Sequence, residues 1–167
     1  VSNQKTPTLP PFGEVVPGQG GRLGAIMRGA LVGKVRQPDY ALILADTPAA
    51  ILKWGEYTEL KGADSLTDGA ANTAAMLKAK CPPALHIAGI EIEGHKDYYL
   101  PARGEMWAAR ANAPELFDNA LHWTSTQDSS NLAFAQDFEY GCSLWDIKGD
   151  EFRVRPFRRI PLYHFPA

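Results

Sequence analysis

The sequence predicts an α+β domain, two helices set against an antiparallel sheet and preceded by an extended arm and a hairpin. Three features carry that expectation. Two helix-patterned segments lie together in the middle of the chain, the residues after Phe117 form a run of strand-like segments, and no regular alternation of strand and helix points to a doubly wound sheet. With 167 residues the chain has the size of one domain around one core. The expected division is an arm over residues 1–21 and a folded unit over residues 22–167.

Residues 1–24 hold four prolines and five glycines with a single aromatic, Phe12, which favours an irregular arm over core. Leu23–Arg28 and Tyr40–Ala45 read as short strands joined through Gly33 and Gln37-Pro38-Asp39, and together they make the hairpin. Asp68 is placed to cap a helix running to Lys80, with Ala70, Ala74, Leu77 and Cys81 on its inner face and Pro82-Pro83 as its stop. A second helix begins near Pro101, whose missing N–H costs nothing in a first turn. Ala102, Met106 and Ala109 line its inner face, and it ends before Pro114. Beyond Phe117, the segments His122–Thr126, Asn131–Phe138 and Phe152–Ile160 are rich in aromatic and β-branched residues and read as strands. In the middle one, Leu132, Phe134, Gln136 and Phe138 alternate with Ala133, Ala135 and Asp137, as in a strand with one well-packed side.

Seventeen Lys and Arg against nineteen Asp and Glu give a formal charge of -2, so no global basic field recruits nucleic acid or an anionic membrane. The longest clean apolar stretch, Tyr40–Ala45, is far short of the roughly 20 residues of a membrane-spanning helix. Val1 to Pro7 include no apolar segment of the kind a secretion signal needs, although a mature chain would already have lost one, and Val1 also fits removal of an initiator Met. Cys81 and Cys142 match no zinc, CxxC or disulfide-framework spacing. A distant disulfide stays open, and two buried thiols are favoured because a chain of this length builds a core without staples.

The loop Gly18-Gln19-Gly20-Gly21-Arg22-Leu23-Gly24 has the look of a phosphate cradle, but Leu23 stands where a dinucleotide fingerprint needs glycine, so it reads as a turn. Glu91, Glu93, His95 and Asp97 would share one face of an extended strand, the best metal-like row in the chain. Same-face strand residues stand roughly 7 Å apart, too far to converge easily on one ion, and Gly94 invites a turn. A solvated hairpin edge without metal is therefore expected. Arg153, Arg155, Arg158 and Arg159 form the sharpest basic cluster, with cross-strand pairing to Asp137 and Glu139 as the expected account. The chain has no GxSxG elbow, HExxH, P-loop or kinase set, and His86, His95, His122 and His164 are scattered. No catalytic residues and no cofactor are expected.

Three stretches in order resemble a known pattern: Asp97-Tyr98-Tyr99-Leu100-Pro101-Ala102-Arg103-Gly104-Glu105-Met106, His122-Trp123-Thr124-Ser125-Thr126-Gln127, and Arg153-Val154-Arg155-Pro156-Phe157-Arg158-Arg159-Ile160. The pattern is that of the Lcl-type C-terminal domain family of bacterial and phage proteins, which runs DWRLPTRxEL, YWSSTE, an aromatic strand and VRPVRR. Asn131, Ala133, Phe134 and Phe138 stand where the family has its aromatic strand. Asp68-Gly69-Ala70-Ala71-Asn72-Thr73 and Tyr40–Ala45 resemble the versions found in phage and prophage tail-region proteins. The likeness covers about residues 22 to 160. It implies a C-type-lectin-like fold, with two helices flanking antiparallel strands, neighbouring termini and a long loop region that carries binding. Ala102 stands where the family has Thr, His122 replaces an aromatic, and Gly104 sits inside the second helix at a cost of about 1 kcal/mol relative to Ala. Gln37-Pro38-Asp39 spells a sugar-binding motif of calcium-dependent lectins yet precedes both helices, and Trp145-Asp146 lacks the Asn of their later strand motif. No calcium site is expected.

What the resemblance implies is a non-enzymatic binding module of a phage virion, in the tail, fibre or baseplate, made in the host cytoplasm. Its expected partners are a host-surface glycan or protein and neighbouring virion subunits, the latter reached through the arm, in a homo-oligomeric or particle-assembled state. The candidate contacts lie in Gln127–Ser130 and Tyr140–Gly149, where Gln127, Asp128, Tyr140, Trp145, Asp146 and Lys148 combine aromatic area with polar groups. Trp123, within a family-like strand, is expected in the core, and Trp145, outside the matched motifs, at an interface. The alternatives are a particle decoration with no host ligand, a bacterial lectin-like adhesin, and an enzyme related to the formylglycine-generating enzymes, whose paired reactive cysteines this spacing lacks.

Overall fold

The computed structural model describes residues 7–166. Its strands are β1 (Val15–Val16), β2 (Gly21–Met27), β3 (Leu31–Val32), β4 (Val35–Arg36), β5 (Tyr40–Ala45), β6 (Ala50–Lys53), β7 (Leu121–Gln127), β8 (Leu132–Asp137), β9 (Ser143–Ile147), β10 (Glu151–Val154) and β11 (Phe157–Pro161). Three helices lie between the early and late strands: α1 (Gly69–Lys78), α2 (Pro82–Ala88) and α3 (Arg103–Asn112). The architecture is α+β. One sheet has the order β1-β2-β5-β11, a second has the order β6-β10-β7-β8-β9, and β3-β4 is a separate hairpin.

β5 explains the first sheet. Its six residues are apolar on both faces, so both must be covered. Leu42 and Leu44 face α3, packing with Met106, Ala109, Phe117 and Phe157, while Ala41 and Ile43 face the other way onto Val16, Leu23 and Ile160. Leu9, Leu162 and Phe165 close over that second face. The two ends of the described chain therefore meet there, and the Thr8 N–H donates to the Pro166 carbonyl at 2.7 Å. Residues 7–21, expected as an arm, are consequently docked on the sheet. Val16 is core, β1 pairs with β2, and the Tyr98 hydroxyl donates to the Gly20 carbonyl at 2.9 Å. Residues 1–6 of the expected arm lie outside the described residues.

The expected hairpin of Leu23–Arg28 with Tyr40–Ala45 corresponds to the antiparallel pair β2-β5, carried with a bulge between Leu23 and Ala25. Asp68 caps α1 as expected, its carboxylate accepting the Ala71 N–H at 3.0 Å. The inner face of α1 is different from the apolar stripe: Ala74 and Leu77 are exposed, and Gly69, Asn72, Thr73 and Met76 are buried. The polar pair wins because it has work inside. Asn72 hydrogen-bonds the Ser65 backbone and the Ser125 hydroxyl, and Thr73 bridges the Gly69 carbonyl and the Leu100 N–H. Pro82-Pro83 ends one helix and starts another, α2, since proline fits a first turn as readily as it blocks an interior. α3 buries Ala102, Met106 and Ala109 as expected.

The late strands form a sheet that is antiparallel except where β10 runs parallel to β7 at Arg153 and His122. Phe152–Ile160 is not one strand. It breaks at Arg155-Pro156, where proline has no N–H for a ladder, so β10 stays in the second sheet and β11 crosses to pair with β5 in the first. Pro156 still accepts the Ala45 N–H at 2.9 Å. The arginines consequently find partners other than Asp137 and Glu139: Arg153 pairs with Asp118, Arg158 with Asp97 and Arg159 with Asp68, and Arg155 donates to the Thr47 carbonyl. Asp137 instead accepts the N–H of Glu139 at 2.8 Å in its own turn. Both cysteines are free thiols, and Cys142 is exposed rather than buried because it sits in the β8-β9 turn.

Candidate functional site

The six candidate contacts divide into two groups. Gln127 and Lys148 lie inside. Gln127, at the end of β7, accepts the Leu60 N–H and donates to the Leu60 carbonyl, and Lys148 Nζ donates to the Thr58 carbonyl at 2.8 Å and to Gln127 Oε1 at 3.0 Å. The ammonium also lies 4.5 Å from the centre of the buried Trp54 ring. Burial pushes the Lys148 amine below its ordinary value. These two residues hold the irregular segment after β6 and do not face a partner. Asp128, Tyr140, Trp145 and Asp146 remain at the surface.

Tyr140–Gly149 is largely a strand rather than a loop. β9 is the outermost strand of its sheet, and Trp145, opposite Phe134 in register, is 57% exposed. A row of rings runs inward from it. Trp145 meets Phe134 edge to face at 5.9 Å, and the Arg103 guanidinium lies 4.0 Å from the Phe134 ring centre on one side and 4.3 Å from the Trp107 ring centre on the other. Trp107, on α3, is 46% exposed, Ile147 is also exposed on β9, and Tyr140 in the preceding turn is 80% exposed. Helix and sheet edge thus present one aromatic surface with a cation stacked in it, an arrangement worth roughly 0.5–2 kcal/mol per stacked pair. The alternation in β8 made Phe134 legible; the contribution of Trp107 and Arg103 was not, since they come from a helix far away in sequence.

A second concave region, of about 730 Å³, lies against the first sheet and the start of α1. Met27, Tyr40, Tyr99 and Arg159 form its base, Thr67 and Asp68 one wall, and Arg28, Val32 and Gln37 around the β3-β4 hairpin another. Behind the base is Glu105, fully buried. Its Oε2 accepts the N–H groups of Ala102 at 2.9 Å and Gly69 at 3.1 Å, and its Oε1 accepts the hydroxyls of Tyr99 at 2.7 Å and Tyr40 at 3.3 Å. One carboxylate therefore serves the starts of α1 and α3 together, while the first-turn N–H groups of Arg103 and Gly104, which an Ala102 side chain cannot cap, go to Thr126 Oγ1 and the Leu66 carbonyl. Burial raises its pKa to about 6 against these hydrogen bonds, and burial together with the Glu105 charge pushes the Tyr40 and Tyr99 hydroxyls well up.

Glu91–Asp97 forms a tight turn closed by mutual Ile92 and His95 backbone bonds, with Glu93 and Gly94 both at positive φ. Its groups disperse: Glu93 accepts the Gly20 N–H, His95 Nε2 bonds the Gly18 carbonyl, and Glu91 pairs with Lys96. Among the described residues no three His, Cys, Asp or Glu side chains gather as metal ligands. No helix among them is long and apolar enough to cross a membrane. His122, placed where the resemblance has an aromatic, packs edge to face against the stacked rings of Phe117 and Phe138 with Nδ1 on the Ala120 carbonyl, and burial lowers its pKa to about 4. Set against models of known protein families and against curated proteins, the chain matches none.

Proposed function

We propose that the chain is a non-enzymatic binding module of C-type-lectin-like fold, a phage virion component that attaches to a host surface or to a neighbouring virion subunit through the edge of its second sheet. The observation that carries this reading is the row Trp145, Phe134, Arg103 and Trp107, in which two exposed tryptophans, one on the outermost strand β9 and one on α3, flank a buried ring and a stacked cation. Aromatic residues and arginine are the side chains that dominate interface energetics. The motif order from Asp97 to Ile160 and the meeting of Thr8 with Pro166, near the two ends of the described residues, support the fold assignment. Asp146, next to Trp145 along β9, alternates to the opposite face of the strand, and its carboxylate accepts the Ile147 N–H, so it is not part of the aromatic row. Contact through the arm is restricted, because residues 7–21 already serve the first sheet.

The test is attachment of the purified full chain to host cells and, separately, to particles lacking it. Trp145→Ala is expected to lower the melting temperature by no more than a few degrees and attachment by about tenfold or more, the size of a modest hot spot. Attachment to particles alone would make the domain a decoration. Normal attachment of the variant to both targets would remove the β9 edge from the proposal.

A further inference from the structure

We propose that the Arg103 guanidinium is an anchor for a carboxylate, carried by an acidic and partly apolar peptide segment of a protein partner that lies across α3 and the β9 edge. The inference rests on the reading of that edge as the attachment surface and names the chemistry of what attaches. Arg103 is held on both faces, by the Phe134 ring at 4.0 Å and the Trp107 ring at 4.3 Å, so its plane is fixed while the N–H groups around its rim are left over. Its Nε is buried with no hydrogen-bond partner. The ion pairs among the described residues engage Arg22, Lys96, Arg153, Arg158 and Arg159, and no carboxylate serves Arg103. A buried N–H without an acceptor is costly, and a stacked guanidinium with an unused fork matches a carboxylate, which takes two parallel N–H bonds in the same plane.

The neighbours of Arg103 select the ligand class. Arg103, Trp107 and Arg110 follow one another at spacings of four and three along α3 and so share one face of the helix. Arg110 reaches the turn that leads into β9, where its guanidinium fills the space that a Cβ of Gly141 would take, and it too is absent from those ion pairs. Two cations without carboxylates therefore border a surface whose apolar area comes from the exposed Trp107, Trp145, Ile147 and Tyr140. A segment that alternates acidic and apolar side chains satisfies both. A polyanion does not: the formal charge of the chain is -2 and Glu139 adjoins Tyr140, so a nucleic acid would meet two cations and repulsion from the rest. Planarity separates a carboxylate from a phosphate, since the first lies in the guanidinium plane between the rings, whereas the tetrahedral oxygens of the second would point at Phe134 and Trp107.

The probes are short fluorescein-labelled peptides with blocked ends, in which glutamate, glutamine or phosphoserine is spaced between leucine and glycine, together with a short oligothymidylate. Fluorescence anisotropy reads their binding to the full chain. The glutamate peptide should bind about tenfold or more tightly than the glutamine peptide, and should weaken by about tenfold in Arg103→Gln and in Trp145→Ala. Arg103→Lys keeps the charge without the planar fork and should bind about as weakly as Arg103→Gln. The Arg103 side chain is half-exposed, so Arg103→Gln should melt within a few degrees of the parent, and Arg110→Gln, further along the same face, repeats the test should it melt early. Equal binding of the glutamate and glutamine peptides, unchanged binding in Arg103→Gln, full affinity in Arg103→Lys, or tighter binding of the phosphoserine peptide or the oligothymidylate would each overturn the proposal. Attachment to cells or particles that falls in Trp145→Ala but not in Arg103→Gln would keep the β9 edge as the attachment surface and remove the carboxylate from it, whereas normal attachment in both variants would remove the edge itself.

Discussion

Two buried titratable groups pull the acid stability of this domain in opposite directions, and replacing His122 by Phe separates them. His122 is held neutral: its pKa falls from 6.5 to about 4 because burial penalises the imidazolium. As pH drops below 6.5 the unfolded chain takes up a proton that the folded chain refuses, so stability is lost through the window from 6.5 to 4. Glu105 behaves oppositely. Its pKa is raised from 4.5 to about 6, so the folded chain takes up a proton first and stability is gained as pH falls from 6 to 4.5. At about 1.4 kcal/mol per pK unit, lowering the pH from 7 to 4.5 costs about 2.5 kcal/mol through His122 and returns about 1.5 kcal/mol through Glu105.

His122→Phe should therefore change the slope rather than the level. A phenyl ring suits the site beside the stacked pair of Phe117 and Phe138, and the Ala120 carbonyl that loses His122 Nδ1 still accepts the Phe138 N–H at 3.1 Å. Stability at pH 7 is expected to stay within about 1 kcal/mol of the parent, whereas at pH 4.5 the variant should exceed it by about 2.5 kcal/mol. For a chain of this size that is roughly 5–10 °C in melting temperature. Urea unfolding followed by tryptophan fluorescence at half-unit pH steps measures it, and the many surface carboxylates cancel in the difference between the two proteins. Parallel stability curves from pH 7 to 4.5 would refute the assignment of a suppressed imidazole charge, and the same experiment on Glu105→Gln should steepen the acid loss.

The other expectations are quicker to test. Trp123→Ala should cost roughly 3–5 kcal/mol, because the ring is fully buried against Phe152 and its Nε1–H serves the Leu52 carbonyl, and equal melting of Trp123→Ala and Trp145→Ala would contradict the placement of both. In the native protein an alkylating reagent should modify Cys142 alone, with Cys81 reacting only after unfolding, since burial both hides the Cys81 thiol and pushes its pKa up; mass spectrometry of the labelled chain reads the outcome. Cutting away residues 1–20 removes Val16 and the acceptor of the Tyr98 hydroxyl, so the melting temperature should fall by about 5 °C or more, and an unchanged transition would show that the docked segment contributes nothing.

Where local signal and burial agree, the sequence is a good guide. The α3 face, the Asp68 cap and the β2-β5 pair follow from apolar spacing and capping chemistry within a few residues of one another. Where a polar residue has a distant partner, the pattern misleads. Asn72 and Thr73 look like the outer face of α1 until Ser65, Ser125 and Leu100 are known to lie beside them. Gly104 reads as a flaw in α3, yet its N–H bonds the Leu66 carbonyl at 2.7 Å, and a Cβ there would crowd the same oxygen at 2.7 Å. The surface rows fared likewise: Trp145 was legible as an exposed aromatic, whereas Lys148 beside it carries a charge that composition alone assigns to solvent. The cavity gathers side chains from the hairpin, α1 and β11, separated by up to a hundred residues or more, so no local motif announces it.

Lys148 makes the strongest case that the polar interior is structural. The chain from Gly55 to Thr67 has no strand or helix, so its backbone groups need partners from elsewhere. Gln127 takes both polar groups of Leu60, Asn72 and Thr126 take those of Ser65, and the Gln127 and Gly104 N–H groups take the carbonyls of Ala63 and Leu66. Lys148 completes the set at Thr58 and orients Gln127 as well. Lys148→Met keeps the length and apolar stem but strips a donor from the buried Gln127 Oε1 and from the part-buried Thr58 carbonyl, which should cost roughly 1–3 kcal/mol. Hydrogen exchange locates the loss: protection should fall across residues 57–66 while β5, in the other sheet, keeps its own. A stable Lys148→Met with unchanged exchange over residues 57–66 would show that the buried ammonium does not hold the segment, and would return Lys148 to the list of groups awaiting a partner.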